Sequence, residues 1–151
     1  ENFLGDKAEV FASDISTKAL EVAKYNNGKN NTNVRFIESN LFENIQEQKF
    51  DIIVSNPPYI RSDVINKLSK QVQNEPHLAL DGGEDGLKFY KKIIEQSCNY
   101  IENGYLILEI GYDQKEDVEN LLKENKNYSE IKTIQDLSGN DRCVIAKVGK
   151  I

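Results

Sequence analysis

This 151-residue chain has a single histidine, His77, and a lone imidazole is more often a packing or surface residue than a catalyst. Cysteine is almost as scarce. Cys98 and Cys143 lie too far apart to form a metal-ligand spacing, and on an expected helix and an expected strand they read as inert core residues in a reducing, cytoplasmic setting. No Gly-x-Ser-x-Gly elbow and no phosphate-binding P-loop occurs, so two common hydrolytic and nucleotide-binding chemistries are excluded. No apolar run approaches the length of a membrane span, and the first residues do not read as a basic segment followed by an apolar one. Positive charge is in deficit: Lys+Arg 19 against Asp+Glu 25 gives a net charge of -6. An acidic surface is repelled by a phosphate backbone, which speaks against unassisted nucleic-acid binding. What remains, 38% hydrophobic and 29% charged, is enough for a folded core, and residues 1–151 are expected to form one domain.

Short β-rich runs alternate with longer helical ones. Glu9–Ser13 reads as a strand, and Ser16 caps a helix over Thr17–Asn26 with Ala19, Leu20, Val22 and Ala23 as its apolar stripe. Asn27-Gly28 is expected to end that helix in the left-handed conformation. Val34–Glu38 and Phe50–Ser55 come next as strands, the second with an unbroken apolar centre that suits cover on both faces. Asp63–Gln73 reads as a short helix, Leu87–Tyr100 as a long one, Tyr105–Ile110 as a buried strand and Gln114–Glu124 as a helix. Glu130–Gln135 and Arg142–Lys147 read as strands joined by Leu137-Ser138-Gly139-Asn140, a hairpin connection. The alternation predicts an α/β sandwich with a mostly parallel sheet and a C-terminal antiparallel hairpin. Ligands in such folds bind beyond the carboxyl ends of the strands. Asp14-Ile15, Asn40 to Phe42 and Asn56 to Tyr59 all stand there, and are expected to converge on one crevice.

All three prolines lie in two segments, and one of these is Asn56-Pro57-Pro58-Tyr59, directly after a strand. Proline fixes φ and removes the N–H, so the turn offers a side-chain amide and carbonyl acceptors on a stiff frame. Such a site suits a planar group bearing two N–H donors. The Asn56 side-chain carbonyl and the Pro57 main-chain carbonyl can hold both hydrogens and aim the nitrogen lone pair at an electrophile, and both bonds strengthen as charge develops on that nitrogen. Tyr59 can stack on the planar group. The alternative is a rigid strand-to-helix turn with no ligand.

Asp14 closes its strand just before a helix, where a carboxylate can accept both hydroxyls of a ribose or simply favour the helix dipole. Asn40, Leu41 and Phe42 combine an amide with apolar neighbours that could grip an adenine, or could be core packing. Glu75-Pro76-His77 leads into the acidic, glycine-rich Asp81–Gly86 segment, which lacks an EF-hand spacing, is too negative to cradle phosphate and reads as a structural loop.

Several segments together resemble the class I S-adenosylmethionine methyltransferases, and among them the branch that methylates the side-chain nitrogen of glutamine in peptide chain release factors. The likeness rests on Val10–Ser16 with Ala19-Leu20, on Ile53–Ile60, on Glu75–Leu87 and on Gly104–Gly111, nearly the whole chain. Asn-Pro-Pro-Tyr alone is shared with adenine-N6 methyltransferases; its combination with Glu75-Pro76-His77-Leu78-Ala79-Leu80 is more specific. The resemblance implies a Rossmann-like fold using S-adenosyl-L-methionine, with Asp14 on the cofactor ribose, Leu41 beside the adenine, Asn40 at its amino group and Asn56 at the methyl-bearing end. It implies that Asn56, Pro57, Pro58 and Tyr59 hold the glutamine amide of a release factor's Gly-Gly-Gln loop. No metal is expected, since the residues offer no metal-ligand spacing.

Two departures from the family stand out. An acidic residue usually occupies the position of Asn40. The family's first strand and its glycine-rich loop are missing too, with Glu1–Gly5 reading as the stretch just after that loop, and so is its small N-terminal helical domain. The chain is therefore expected to be a fragment that by itself binds cofactor weakly or not at all, with the gap in the sheet closed by a neighbouring chain or by direct pairing of the flanking strands.

Overall fold

The computed structural model describes residues 7–149, and the reading of Glu1–Gly5 lies outside them. Backbone contacts divide the chain into two compact units, Glu1–Gln48 and Lys49–Ile151.

In the first unit, β1 (Phe11–Asp14) and β2 (Arg35–Glu38) form a two-stranded parallel sheet in which Phe11 pairs with Arg35 and Asp14 with Glu38. The helix α1 (Thr17–Lys29) makes the crossover. Ser16 caps it as expected, its Oγ accepting from the Ala19 N–H at 3.2 Å and satisfying one of the orphan donors of the first turn. The helix does not stop at Asn27-Gly28. It runs one residue further, and the left-handed residue is Asn31 at φ 50°. The reason is Asn27, whose Oδ1 accepts from Thr32 Oγ1 at 2.6 Å and from the Val34 N–H at 3.1 Å and so fixes the path of the chain after the helix end. Of the expected apolar stripe only Leu20 is buried, whereas Val22 is 61 % exposed.

The second unit carries a mixed four-stranded sheet of order β3-β4-β6-β5, built from β3 (Ile52–Ser55), β4 (Gly104–Glu109), β5 (Tyr128–Gln135) and β6 (Asp141–Val148). β3 and β4 are parallel, while β6 lies antiparallel to both β4 and β5. The hairpin is as expected, with Gly139 at φ 83° and the Asp136 carboxylate accepting from the N–H groups of Ser138 and Asn140 at 2.9 and 3.0 Å. Among the described residues β1 pairs with β2 and β3 pairs with β4.

One face of this sheet is covered by α5 (Lys88–Ser97) and α6 (Lys115–Glu124). Leu106, Leu108, Val144 and Ala146 from the strands and Tyr90, Ile93, Val118 and Leu122 from the helices form its buried core. The other face stays open at Ile52, Val54, Tyr105 and Ile134, which are 54%, 70%, 40% and 51% exposed. Phe50–Ser55 is therefore not a strand covered on both faces. It is an outer strand of this sheet, and alternation turns Ile52 and Val54 away from the helices. Cys98 and Cys143 are free and half-buried rather than core residues, and burial raises the pKa of the Cys143 thiol.

The expected helix over Asp63–Gln73 is broken into α2 (Ser62–Ile65) and α3 (Lys70–Gln73), followed by α4 (His77–Leu80). Gln73 stabilises the break by donating its amide hydrogens to the carbonyls of Asn66 and Leu68 at 3.0 and 2.8 Å. Carbonyls that a continuous helix would have used internally are thus satisfied by a side chain.

Candidate functional site

β3 ends at Ser55 and delivers Asn56-Pro57-Pro58-Tyr59 as an irregular turn. Asn56 is exposed, and its side chain makes no hydrogen bond to any described residue, so its amide oxygen is a free acceptor. Pro57 behind it is buried, while Pro58 and Tyr59 are half-buried. The turn is anchored from below and open at its amide.

Its anchoring comes from the segment that reads in sequence as a structural loop. Ile60 and Asp81 form a parallel bridge, with the Ile60 N–H donating to the Leu80 carbonyl at 3.0 Å and the Gly82 N–H to the Ile60 carbonyl at 2.8 Å. The Ser62 N–H donates to the Gly83 carbonyl at 3.0 Å and extends the ladder. Gly82 is needed here because a Cβ would sit 2.7 Å from the Tyr59 Cα, and Gly86, at φ 72°, because one would sit 2.6 Å from the Tyr59 carbonyl oxygen. Asp81 ties the two strips together, accepting from the Ser62 hydroxyl at 2.6 Å and from the Gly83 N–H at 2.9 Å. Those hydrogen bonds, the Ser62 one foremost, hold its carboxyl below the ordinary aspartate value. His77 is exposed, with Nδ1 3.8 Å from the same carboxylate. The second acidic residue with a clear task, Asp85, accepts from the Leu87 N–H at 2.9 Å at the start of α5 and pairs with Lys91 at 2.5 Å.

Gln114, a residue with no evident role in the sequence, completes the mould. It is buried at 7 % exposure and stands at the N-cap of α6. Its Nε2 donates to the Tyr59 carbonyl at 3.1 Å and to the Gly86 carbonyl at 3.2 Å, and its Oε1 accepts from the Gly111 N–H at 3.0 Å. The Tyr90 hydroxyl donates to the Glu109 carbonyl at 2.8 Å and lies 3.5 Å from Gln114 Oε1, and its pKa is raised, above all by burial. The only sequence signal for Gln114 is a polar residue three positions beyond the glycine that ends a buried strand, which any surface turn would equally supply.

The first unit holds the other sequence-predicted residues. Asp14 ends β1 and is exposed. Its Oδ1 accepts from the Ser16 N–H at 2.7 Å, which leaves Oδ2 as a further acceptor. Its carbonyl accepts from the Ser39 N–H at 3.0 Å, so Asn40 and Leu41 come next at the same end of the two-stranded sheet. Leu41 adopts φ 53°, a conformation a branched side chain avoids. Buried Ser39 enforces it by donating to the Leu41 carbonyl at 2.9 Å and accepting from the Asn44 N–H at 3.0 Å. Asn40 donates from Nδ2 to Glu43 at 2.8 Å, and its amide oxygen remains an acceptor. The structure thus brings Asp14, Asn40 and Leu41 together in one unit, and Asn56, Pro57, Pro58 and Tyr59 in the other. Among the described residues no three His, Cys, Asp or Glu side chains group as metal ligands, and no helix is long and apolar enough to cross a membrane.

Known proteins are similar to this chain in sequence and in fold. The release factor glutamine methyltransferase of Fusobacterium nucleatum is 44% identical over 144 residues, covering 93% of this chain and 40% of that protein. The protein of the same name from Clostridium acetobutylicum is 45% identical over 147 residues, 93% of this chain and 51% of its own length. The chain therefore spans about half, or less, of the curated relatives it matches. Among solved structures, an S-adenosylmethionine-dependent O-methyltransferase from Thermotoga maritima superposes with a TM-score of 0.69 at 11% identity, over 98% of this chain and 52% of that one. That likeness shows the class I methyltransferase fold. The family model of the methyltransferase small domain matches residues 4–83, which include every candidate site residue from Asp14 to Tyr59, and the chain belongs to that family.

Proposed function

We propose that the chain is the catalytic portion of a protein-(glutamine N5) methyltransferase that uses S-adenosyl-L-methionine and modifies the glutamine of a Gly-Gly-Gln loop on a peptide chain release factor. The observation that carries the reading is the Asn56 amide, exposed and unpartnered on a turn whose other side is fixed by Pro57, Gly82, Gly86 and Gln114. The names of the relatives support the substrate. The two free cysteines fit a cytoplasmic enzyme.

An amide nitrogen is a poor nucleophile because its lone pair is delocalised into the carbonyl. The remedy open to this chain is to hold the amide in place. Asn56 Oδ1 and the Pro57 carbonyl would accept its two hydrogens, Tyr59 would present a ring to its plane, and the nitrogen lone pair would stay open to an electrophile. As positive charge grows on nitrogen both acceptors bind more strongly, so the turn favours the transition state over the ground state. S-adenosyl-L-methionine, when bound, would supply the activated methyl on its sulfonium, its sulfur keeping the electron pair of the broken S–C bond as the thioether of S-adenosylhomocysteine while the nitrogen gives up one proton to solvent. The first unit fits its nucleoside: Asp14 has carboxylate acceptor capacity for ribose hydroxyls, Leu41 is held in its strained conformation beside the end of β2, and the Asn40 oxygen accepts from an exocyclic amine.

The deciding experiment offers the protein two substrates, a peptide containing Gly-Gly-Gln and an adenine-containing oligonucleotide, with S-adenosyl-L-methionine carrying a labelled methyl. Label on the glutamine side chain supports the proposal. Label on the oligonucleotide would assign the turn to nucleic-acid amino groups, and peptide binding without transfer would mark a binding module that does no chemistry.

A further inference from the structure

One buried polar group of the second unit that no step of the reaction uses is the Gln114 carboxamide. We infer that Gln114 is the positioning residue of the Asn56–Tyr59 turn, its amide clamping the Tyr59 carbonyl so that the acceptors at Asn56 and Pro57 keep one orientation. The inference deepens the proposed function and rests on it for its catalytic meaning.

Four facts lead to it. Gln114 donates a side-chain hydrogen bond into the Asn56–Tyr59 segment from the far side of β4 in the chain. Its three bonds run to three separate stretches: the Tyr59 carbonyl, the Gly86 carbonyl and the Gly111 N–H, which lies just past the end of β4. The space around it is closed, for a Cβ on Gly86 would come 2.8 Å from Nε2 and one on Gly111 would come 2.8 Å from Oε1. Its orientation is fixed as well. With Oε1 accepting from Gly111 and facing the Tyr90 hydroxyl, only Nε2 can face the two carbonyls, so the amide cannot flip without opposing like dipoles on both sides. A turn containing two prolines has few N–H donors with which to hold itself, and this clamp supplies a donor from outside.

The clamp can also be made to titrate. Replacing Gln114 by Glu keeps the shape but removes both donors; its ionised carboxylate repels the Tyr59 and Gly86 carbonyls, while the protonated acid restores one donor. Burial and those two carbonyls raise the pKa of such an acid, so the clamp is closed at low pH and opens as pH rises. Other charged or titratable groups near that position are Tyr90, Tyr59 and Glu109, with Asp113 beside Gly111 and Arg61 beside Gly86.

The test uses amide exchange and NMR on the chain. In Gln114→Leu the Ile60 and Gly82 N–H groups should exchange about tenfold faster than in the unaltered protein while Val144 and Ala146 in β6 keep their protection, the mark of a local opening. In Gln114→Glu the resonances of Tyr59 and Ile60 should move with pH between about 5 and 8, a transition absent from the unaltered protein and from Gln114→Leu. Equal exchange at Ile60 and Gly82, or a pH-silent Gln114→Glu, would overturn the assignment. So would loss of all protection in both variants, which would make Gln114 a residue of the general core. Methyl transfer to the Gly-Gly-Gln peptide is read separately. If the unaltered protein fails to methylate the peptide even at saturating S-adenosyl-L-methionine, the proposed function falls while the exchange result stands. If it does methylate, Gln114→Leu should lower kcat with KM for S-adenosyl-L-methionine unchanged.

Discussion

At the scale of single residues, the chain separates groups that would touch ligand from groups that hold them. Under the proposed function Asn56 belongs to the first kind: it is exposed, and nothing described satisfies its amide. Asn56→Ala should therefore reduce turnover by about 100-fold, the usual effect of removing one acceptor or donor aimed at developing charge, with little change in S-adenosyl-L-methionine affinity. Paired kinetics and calorimetry check this, and unchanged turnover removes Asn56 from the mechanism. Gly82 belongs to the second kind. Gly82→Ala must displace the Tyr59 backbone 2.7 Å away, and an expected loss of about 1–3 kcal/mol can be read from urea unfolding. A variant as stable as the original would mean that the two strips separate easily.

Secondary-structure elements are stabilised unequally. β4 and β6 carry the core, with Leu108 and Val144 at 0% exposure in directly paired positions. Leu108→Ala should cost about 2–5 kcal/mol, since a cavity there is walled by strands and helices that cannot collapse into it. Chemical denaturation measures it, and a cost below about 1 kcal/mol would show that the site relaxes. In contrast α1 buries only Leu20 and depends more on its cap. Ser16→Ala is expected to lower stability by about 1 kcal/mol, seen as a loss of helical circular dichroism that precedes the main unfolding transition. Fully cooperative loss of signal would show that α1 does not melt independently.

Over the whole molecule, carboxylates at several places sit below their ordinary pKa for different local reasons. Ser62 and Gly83 hydrogen-bond Asp81, Lys91 and Leu87 hydrogen-bond Asp85, Thr133 and Lys123 hydrogen-bond Glu119, and Asn140 and Ser138 donate backbone N–H groups to Asp136. A group whose pKa is lower folded than unfolded stabilises the fold above the unfolded value, 3.8 for Asp and 4.5 for Glu, and this is lost as pH falls through the folded value. These groups therefore contribute a constant amount from neutrality to about pH 5 and a falling amount below about pH 4. Thermal midpoints across that range should show the slope, and Asp136→Asn should flatten it. A slope unaltered in Asp136→Asn would mean that other groups set the acid limit.

How much of this could be read beforehand depends on how far each feature reaches along the chain. Local signals succeeded: the Ser16 cap, the Asp136–Asn140 hairpin and the abrupt end of a strand at Asn56-Pro57 each arise within a few residues, where steric and hydrogen-bonding rules act directly. Readings that needed a partner fared worse. An apolar run such as Phe50–Ser55 announces a strand, but whether both faces are covered depends on which strands lie beside it. Helix α1 passed Gly28 because Asn27 bonds forward to Thr32 and Val34, and the break after Ile65 results from Gln73 reaching back to Asn66 and Leu68.

By itself the sequence determined the α/β alternation and the stiff double-proline turn, because proline geometry and periodicity are properties of neighbouring residues. Only the tertiary structure decided what fixes that turn. Glycines 82 and 86 and Gln114 act on Tyr59 across separations of 23 to 55 residues. Contacts that distant in sequence leave no mark in local pattern, since a buried amide and a solvent-facing one are the same letter until the chain folds around it.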